Sequence, residues 1–465
     1  MNIKNRAYFI MTFGCQLNEN DSQKMAGELQ EMNYVKAERV EDADFVIINT
    51  CSVRENADDR FYGNLGRMKT LRQTKPDLLV AVCGCMMKIE EHVDKIRRSY
   101  PFVDLIFGPS DIYRLPELLW RRLQSSKRVY DVGEEDLIAE GVHVVHERKH
   151  RALCTISYGC NNYCTFCIVP YTRGRERSRK ASDVLAEVKS LADQGFSEVM
   201  LLGQNVNSYG LDIPEEERID FAVLMALICE QTSLKLLRFM TPHPKDISLK
   251  LLDVMAKYPQ IEQHLHLPLQ SGSDRILRKM NRRYTAEHYM NIIEEARKRM
   301  PDLAVSTDII VGFPGETEED FQATLDIVAK VGYDSAYTFQ YSPRIGTPAA
   351  ILEEQISQDV VTARFDRLIA VQNENSLKAN EARVGRTLKV LIEGVSDHRK
   401  DMLTGRASDN HLINFSISDE LKSAYGFEGM SDDTIGAELE GCFAMVDVTS
   451  ARTFSLEGEL VKRLD

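Results

Sequence analysis

The chain has no apolar run long enough to cross a bilayer, and no N-terminal segment joins a basic start to an unbroken apolar stretch and a small-residue cleavage site. A cytoplasmic protein with no membrane contact is expected. Positive charge is also in deficit: 58 lysines and arginines face 71 aspartates and glutamates, giving a net charge of −13. That balance excludes indiscriminate binding to polyanions, so a nucleic acid must be met by local basic patches. Low-complexity tracts and repeats of solenoid period are missing as well. What remains is 465 residues, 43% of them hydrophobic, enough for roughly two to four domains.

Cysteine, by contrast, is plentiful. Ten cysteines in a cytosolic chain do not suggest a disulfide framework, because thiols there are kept reduced and are inert, catalytic or metal-bound. Three of them, Cys160, Cys164 and Cys167, stand at C-x3-C-x2-C spacing in YGCNNYCTFCIVPYTRGRERSRK. A closed zinc site uses four protein ligands, and Cys154, the nearby candidate, lies within the preceding predicted strand. A cubane iron–sulfur cluster normally takes four thiolates, so three leave one iron open to a small chelating ligand. Cluster binding is the better reading, with zinc and bystander thiols as the alternatives.

Around this loop, strands and helices alternate. AYFIMTFG leads to Cys15, DFVIINT to Cys51 and LLVAVCG to Cys85, each followed by helix-like or polar sequence. This pattern predicts an α/β domain with a parallel sheet covered on both faces and ligands beyond the strand carboxyl ends. On their own, these three thiols read equally well as small apolar residues at strand ends. Residues 122–150 read as a linker with one strand at most. From residue 151, six further strand–helix units predict a partial (β/α)6 barrel with its chemistry at the C-terminal strand ends, and the Cys160 loop follows the first strand. Residues 353–380 read as a charged helix. The short alternating runs beyond it predict a small β-barrel, with SDELKSAYGFEGMSDDTIGAELEG as an elaborated loop.

The C-x3-C-x2-C loop after a first barrel strand, with Phe166 beside the third cysteine, resembles the signature of radical S-adenosylmethionine (SAM) enzymes. TFGCQLNENDSQKM, INTCSVRENAD and VCGCMMK resemble the N-terminal domain of the methylthiotransferases. The resemblance runs nearly the whole chain. It implies an N-terminal methylthiotransferase domain over 6–124, a radical SAM core over 146–378 and a TRAM-type RNA-binding barrel over 380–463. Two [4Fe-4S] clusters and SAM are the implied cofactors. The auxiliary cluster would be held by Cys15, Cys51 and Cys85; the family's third ligand follows a glycine, which makes Cys83 a bystander. Implied SAM contacts are Gln204 and Asn205 in LLGQNVNSYG and Gln270, Ser271 and Ser273 in PLQSGSD, with the IIVGFPGET turn against the cofactor. Ordinary turns and helix caps are the alternative for each. His264 and His266 read as satisfied barrel-interior histidines.

The family's substrates are tRNA adenosines beside the anticodon, bearing a dimethylallyl or threonylcarbamoyl group, and an aspartate of a small-subunit ribosomal protein. CQLNENDS and CTFCIVPYTRGRERSR resemble the branch that methylthiolates C2 of dimethylallyladenosine with two SAM molecules. Implied partners are a tRNA anticodon stem-loop, an electron donor of flavodoxin or ferredoxin type and an unspecified sulfur donor. Arg173, Arg175, Arg177, Arg179 and Lys180 are expected to hold phosphates. The alternative is a solvated turn whose arginines pair with acids such as Glu176. From Asn380 onward there are 10 Lys and Arg against 16 Asp and Glu, so RNA contact there is confined to a face with Arg383, Arg386, Arg399, Lys400 and Arg406.

Overall fold

A computed structural model describes residues 6–51, 57–125, 127–133, 138 and 140–464. The first segment forms six strands: β1 (Ala7–Thr12), β2 (Val35–Lys36), β3 (Phe45–Thr50), β4 (Leu79–Gly84), β5 (Leu105–Phe107) and β6 (Val129–Asp131). They pair in parallel in the order β2-β1-β3-β4-β5-β6. Every residue of β3 and β4 is buried, as their unbroken apolar sequence requires of strands covered on both faces. Their alternation divides two cores. Phe45, Ile47, Leu79 and Ala81 pack under the helices α1 (Gln16–Glu31) and α4 (Leu115–Ser125), while Val46, Ile48, Val80 and Val82 face Phe61, Leu65 and Ile96 of α2 (Ala57–Thr74) and α3 (Glu90–Ser99). The sheet runs on through Asp131, past the boundary expected at 124, because the strand inside the expected linker is its last member.

The central region contains the six expected strands: β7 (Arg151–Thr155), β10 (Glu198–Leu202), β11 (Leu236–Phe239), β12 (His264–His266), β13 (Ala304–Val311) and β14 (Ser335–Gln340). They form two parallel three-stranded sheets, β7-β10-β11 and β12-β13-β14, bridged at Leu237 and Ile261. No ladder joins β14 to β7 among the described residues, so the barrel is open on that side. Two short strands, β8 (Ser157–Tyr158) and β9 (Arg177–Ser178), pair antiparallel and close the base of the cysteine loop.

After the long helix Gln358–Glu381, strands β15 (Thr387–Val395), β16 (Leu403–Ala407), β17 (Leu412–Ser416), β18 (Phe443–Ala451) and β19 (Leu456–Arg463) close into the expected small barrel. The predicted acidic loop instead contains two helices, Asp419–Ala424 and Asp432–Leu439. Ser418 and Ser431 cap them, and Phe427, Ile435 and Leu439 complete the barrel core, so the acid sits on the outside of an amphipathic insert. This barrel docks on the N-terminal ends of the central strands. Gln263 donates to the Ser408 carbonyl at 2.9 Å, Ser197 to the Gly441 carbonyl at 2.7 Å, and buried Arg238 lies between Glu198 at 3.0 Å and Glu262 at 2.6 Å while donating to Asn410. The C-terminal strand ends are left free for the site.

Candidate active site

Cys15, Cys51 and Cys85 follow β1, β3 and β4, which are adjacent in the sheet, so three distant cysteines meet at one edge. Two glycines permit the approach. Gly14 has a φ of +121°, and a Cβ there would fall 2.3 Å from the Cys51 Cβ; at Gly84, φ +98°, it would fall 2.2 Å from the Thr50 carbonyl oxygen. Cys15 caps the N-terminus of α1 and is the exposed member, whereas Cys51 and Cys85 are buried. A hydrogen bond with Cys51, the Arg173 charge and backbone N–H groups of Asn18 and Leu17 bring the Cys15 thiol down to about 6. Cys83 lies within β4 and packs against Met25 in the core, which fits the bystander role.

Cys160, Cys164 and Cys167 lie on the loop beyond β7 and β8. Other elements fix that loop: Thr165 N–H donates to the Met280 carbonyl at 3.0 Å, its hydroxyl to the Lys279 carbonyl at 2.9 Å, and Asn281 donates to the carbonyls of Asn162 and Tyr163. Phe166 packs toward Ile276, Met280, Phe313 and Ala349. Burial pushes the Cys160 thiol up to about 11 and the Cys167 thiol up to about 12. Among the described residues, no three His, Cys, Asp or Glu side chains converge tightly enough for a single metal ion. Three thiolates leave the fourth position of a closed zinc site unfilled and one iron of a cubane cluster open.

These three cysteines form one wall of a cavity of about 350 Å³ at the C-terminal strand ends, with Gln204, His243, Gln270, Arg282, Asp308 and Tyr341 on the others. Four buried polar atoms on its walls have no hydrogen-bond partner: Gln204 Oε1, Gln270 Oε1, His243 Nε2 and the Tyr341 hydroxyl. Buried polar groups are rarely left unpaired, so these point to a polar ligand. His243 Nδ1 accepts from the Lys245 N–H, which leaves Nε2 to carry the hydrogen toward the cavity. Burial, with the Arg282 and Lys245 charges, holds its pKa down at about 2, so it donates as a neutral imidazole. Sequence reading missed His243 and Arg282; the available signal for His243 was the PHP that follows the third barrel strand after two residues.

Of the five expected SAM contacts, Gln204 and Gln270 line this cavity. Asn205 lines an adjoining pocket, donating to Asp246 at 2.8 Å with its Oδ1 unpartnered. Ser271 and Ser273 are turned inward: Ser271 accepts from the Ser273 N–H, and Ser273 caps the helix Asp274–Lys279 and donates to Asp320 at 2.5 Å. They are turn and cap residues. Of the IIVGFPGET stretch, Ile310 lines the cavity, Phe313 packs in the cluster with Phe166, and Gly312 lies against Val361 of the long helix. His264 and His266 are satisfied as expected, both hydrogen-bonded to the Ser306 hydroxyl.

The basic run divides in two. Arg173 is 5% exposed, ion-paired with Asp21 at 2.7 Å and bonded to Asn18 at 2.6 Å. Arg179 is 6% exposed and held by Glu140 and Glu187. Neither is a phosphate contact: the first joins the N-terminal domain to the barrel, and the second ties β9 to Glu140 and the helix Ala181–Asp193. Arg175 and Lys180 are exposed, and Arg177 is half-buried. Glu176 is not their partner, as it takes the Ser208 hydroxyl. In the C-terminal barrel, Arg383 is buried against Asp334 and Asp409 at the docking surface, and Arg386 pairs with Asp302 there. Arg383 is thus also removed from the RNA-facing set. Lys400 is exposed, and Arg399 and Arg406 line a surface groove with Arg148, Arg452 and exposed Phe454.

Residues 154–328 match the Radical SAM superfamily and residues 7–108 the Uncharacterized protein family UPF0004. A tRNA-2-methylthio-N(6)-dimethylallyladenosine synthase from Acetivibrio thermocellus is 47% identical over 460 residues, covering 99% of this chain and 92% of that one. One from Lachnoclostridium phytofermentans is 49% identical over 413 residues, covering 89% and 90%. Among solved structures, the radical S-adenosylmethionine methyltransferase TsrM from Kitasatospora setae, with cobalamin and a [4Fe-4S] cluster bound, shares the fold at a TM-score of 0.54 and 15% identity, over 75% of this chain and 77% of that one. With this agreement along nearly its whole length, the chain belongs to the tRNA-2-methylthio-N(6)-dimethylallyladenosine synthase family of radical SAM methylthiotransferases.

Proposed function

We propose that this protein methylthiolates C2 of N6-dimethylallyladenosine beside the anticodon of tRNA, using two [4Fe-4S] clusters and two SAM molecules. The observation that carries the reading is identity of 45–49%, over at least 89% of the chain, to relatives that bear this one name. Cys160, Cys164 and Cys167 would hold the cluster that binds SAM, and Cys15, Cys51 and Cys85 the auxiliary one. When bound, the first supplies the electron that cleaves SAM to a radical able to remove an unactivated hydrogen, and the second presents the sulfur.

The chain's own residues bind, orient and shield. Gln204, Gln270 and His243 offer their unpartnered atoms to the polar groups of SAM, and Phe166, Pro268 and Ile310 give the cavity an apolar wall. The open side of the barrel admits the substrate. Tyr337 and Phe339 on β14, and Tyr163 and Tyr171 beside the cysteine loop, are exposed aromatics on which an unstacked base can rest. Arg175, Arg177 and Lys180 supply positive charge at that end, while Arg399, Lys400 and Arg406 lie on a barrel docked at the opposite strand ends. RNA bound by both must run along the outside of the core. Among the described residues no helix is long and apolar enough to cross a membrane; a cytoplasmic site of action and an electron donor of flavodoxin or ferredoxin type belong to this reading through the family resemblance.

Mass analysis of tRNA nucleosides from cells with and without the protein tests this. Loss of the 2-methylthio group with the dimethylallyl group retained is expected; an unchanged nucleoside profile would overturn the assignment.

A further inference from the structure

Each cysteine triad has one buried arginine donating to one of its sulfurs. Arg173 Nε lies 3.2 Å from Cys85 Sγ, and Arg282 Nη1 lies 3.5 Å from Cys164 Sγ. The environments of the two guanidinium groups differ. Arg173 is neutralised, because its Nη2 meets the Asp21 carboxylate at 2.7 Å and both residues are buried. The remaining partners of Arg282 are the Tyr284 hydroxyl at 3.1 Å and the Pro268 carbonyl at 3.2 Å, and among the described residues it forms no ion pair. Two carboxylates lie near this triad and neither is held by Arg282: Glu176, beside Cys160, takes the Ser208 hydroxyl, and Asp308, on the cavity wall, lies 3.5 Å from His266 Nε2.

We propose that Arg282 and the Arg173–Asp21 pair are positioning residues that separate the reduction potentials of the two clusters, so that an incoming electron settles on the Cys160–Cys164–Cys167 side. This rests on the reading of both triads as cluster ligands. Reduction adds one electron, and so one negative charge, to a cluster. A net positive charge hydrogen-bonded to a ligand sulfur favours the reduced state, while a neutral ion pair leaves it nearly unmoved. Low dielectric around both sites enlarges the difference. The electron from the external one-electron donor is then held where SAM binds, and the auxiliary side stays oxidised.

The test uses full-length protein reconstituted anaerobically in two backgrounds, C15A/C51A/C85A and C160A/C164A/C167A, each leaving one triad. Redox titration followed by electron paramagnetic resonance, without SAM, reads each couple alone. The wild-type residues around the loop triad should give the higher potential. R282Q should lower its reduced-to-oxidised ratio at fixed potential at least about tenfold, a 59 mV shift for a one-electron couple, and R282K should restore most of it. In the other background D21N, which frees the Arg173 charge, should raise the ratio by a similar factor, and D21N/R173Q should return it close to the starting value. Should R282Q retain no cluster, the D21N arm tests the same asymmetry.

Equal potentials for the two triads, or a D21N couple that does not move, would overturn the proposal. So would an R282Q variant that loses SAM affinity at an unchanged potential, which would make Arg282 a partner of the SAM carboxylate instead. Iron analysis showing no cluster in one background would fault the ligand assignment itself, a different failure.

Discussion

Cys160, Cys164 and Cys167 come from eight consecutive residues, whereas Cys15 and Cys85 lie 70 positions apart and meet Cys51 only because β1, β3 and β4 are neighbours. The first triad is a local object, clamped at its base by a two-stranded hairpin and tied to residues 279–281. The second exists only as long as a six-stranded sheet keeps its order. Their chemistry diverges at one position: burial makes Cys160, Cys167 and Cys85 hard to ionise, while Cys15 is an exposed, readily ionised thiol at a helix N-terminus. Loss of the sheet should release one cluster and spare the other.

The largest effect should come from removing each triad in turn. C160A/C164A/C167A is expected to abolish 5′-deoxyadenosine formation, a loss beyond the 10–100-fold typical of supporting residues. C15A/C51A/C85A should retain SAM cleavage and lose only the methylthio product, measured by chromatography of the same reaction. A shared loss of both activities would mean that the triads do not divide the work.

Alkylation of the metal-free protein sharpens the contrast in ionisation. At neutral pH Cys15 should react about a hundredfold faster than Cys160 or Cys167, after allowance for the weaker nucleophilicity of a low-pKa thiolate. A lowered thiol pKa means that the reactive thiolate persists above about pH 6 and is lost as pH falls through that value. Iodoacetamide labelling read by peptide mass spectrometry checks both statements.

At the docking surface, R238M would leave Glu198 and Glu262 buried without their cation, and should cost about 3–5 kcal/mol in urea unfolding. Smaller still are the RNA contacts. Replacing exposed Arg175 or Lys180 by alanine should weaken anticodon stem-loop binding and reduce the log–log salt slope by about 1 for each phosphate no longer neutralised. R179Q should lower thermal stability instead and leave the slope unchanged, because its charge is already spent on Glu140 and Glu187.

Much of the architecture was legible because burial on two faces writes itself as unbroken apolar runs, as in β3 and β4, and burial on one face as alternation, as in the five strands of the small barrel. The strands Val35–Lys36, Leu105–Phe107 and Val129–Asp131 are two or three residues long and leave no such run. The cysteine loop was plain from its spacing alone, whereas the strand-end trio required the family resemblance. Charge was the least legible feature. Arg173 and Arg179 look alike in the basic run, yet Arg173 pairs with Asp21, 152 positions away, a relation that no local run of charge can express. Ser271 and Ser273 were misplaced for a similar reason: a serine before a helix carries the same letters whether it caps or binds, and here Asp320 and the helix N–H groups claim it.

The most direct test is the Mössbauer spectrum of anaerobic, iron-57-reconstituted protein with and without SAM, compared with the two triple-cysteine variants. Two cubane signals in the wild type, one in each variant, and a SAM-dependent change only where Cys160, Cys164 and Cys167 are intact are expected. A single signal in the wild type, or iron unaffected by loss of Cys15, Cys51 and Cys85, would contradict the account.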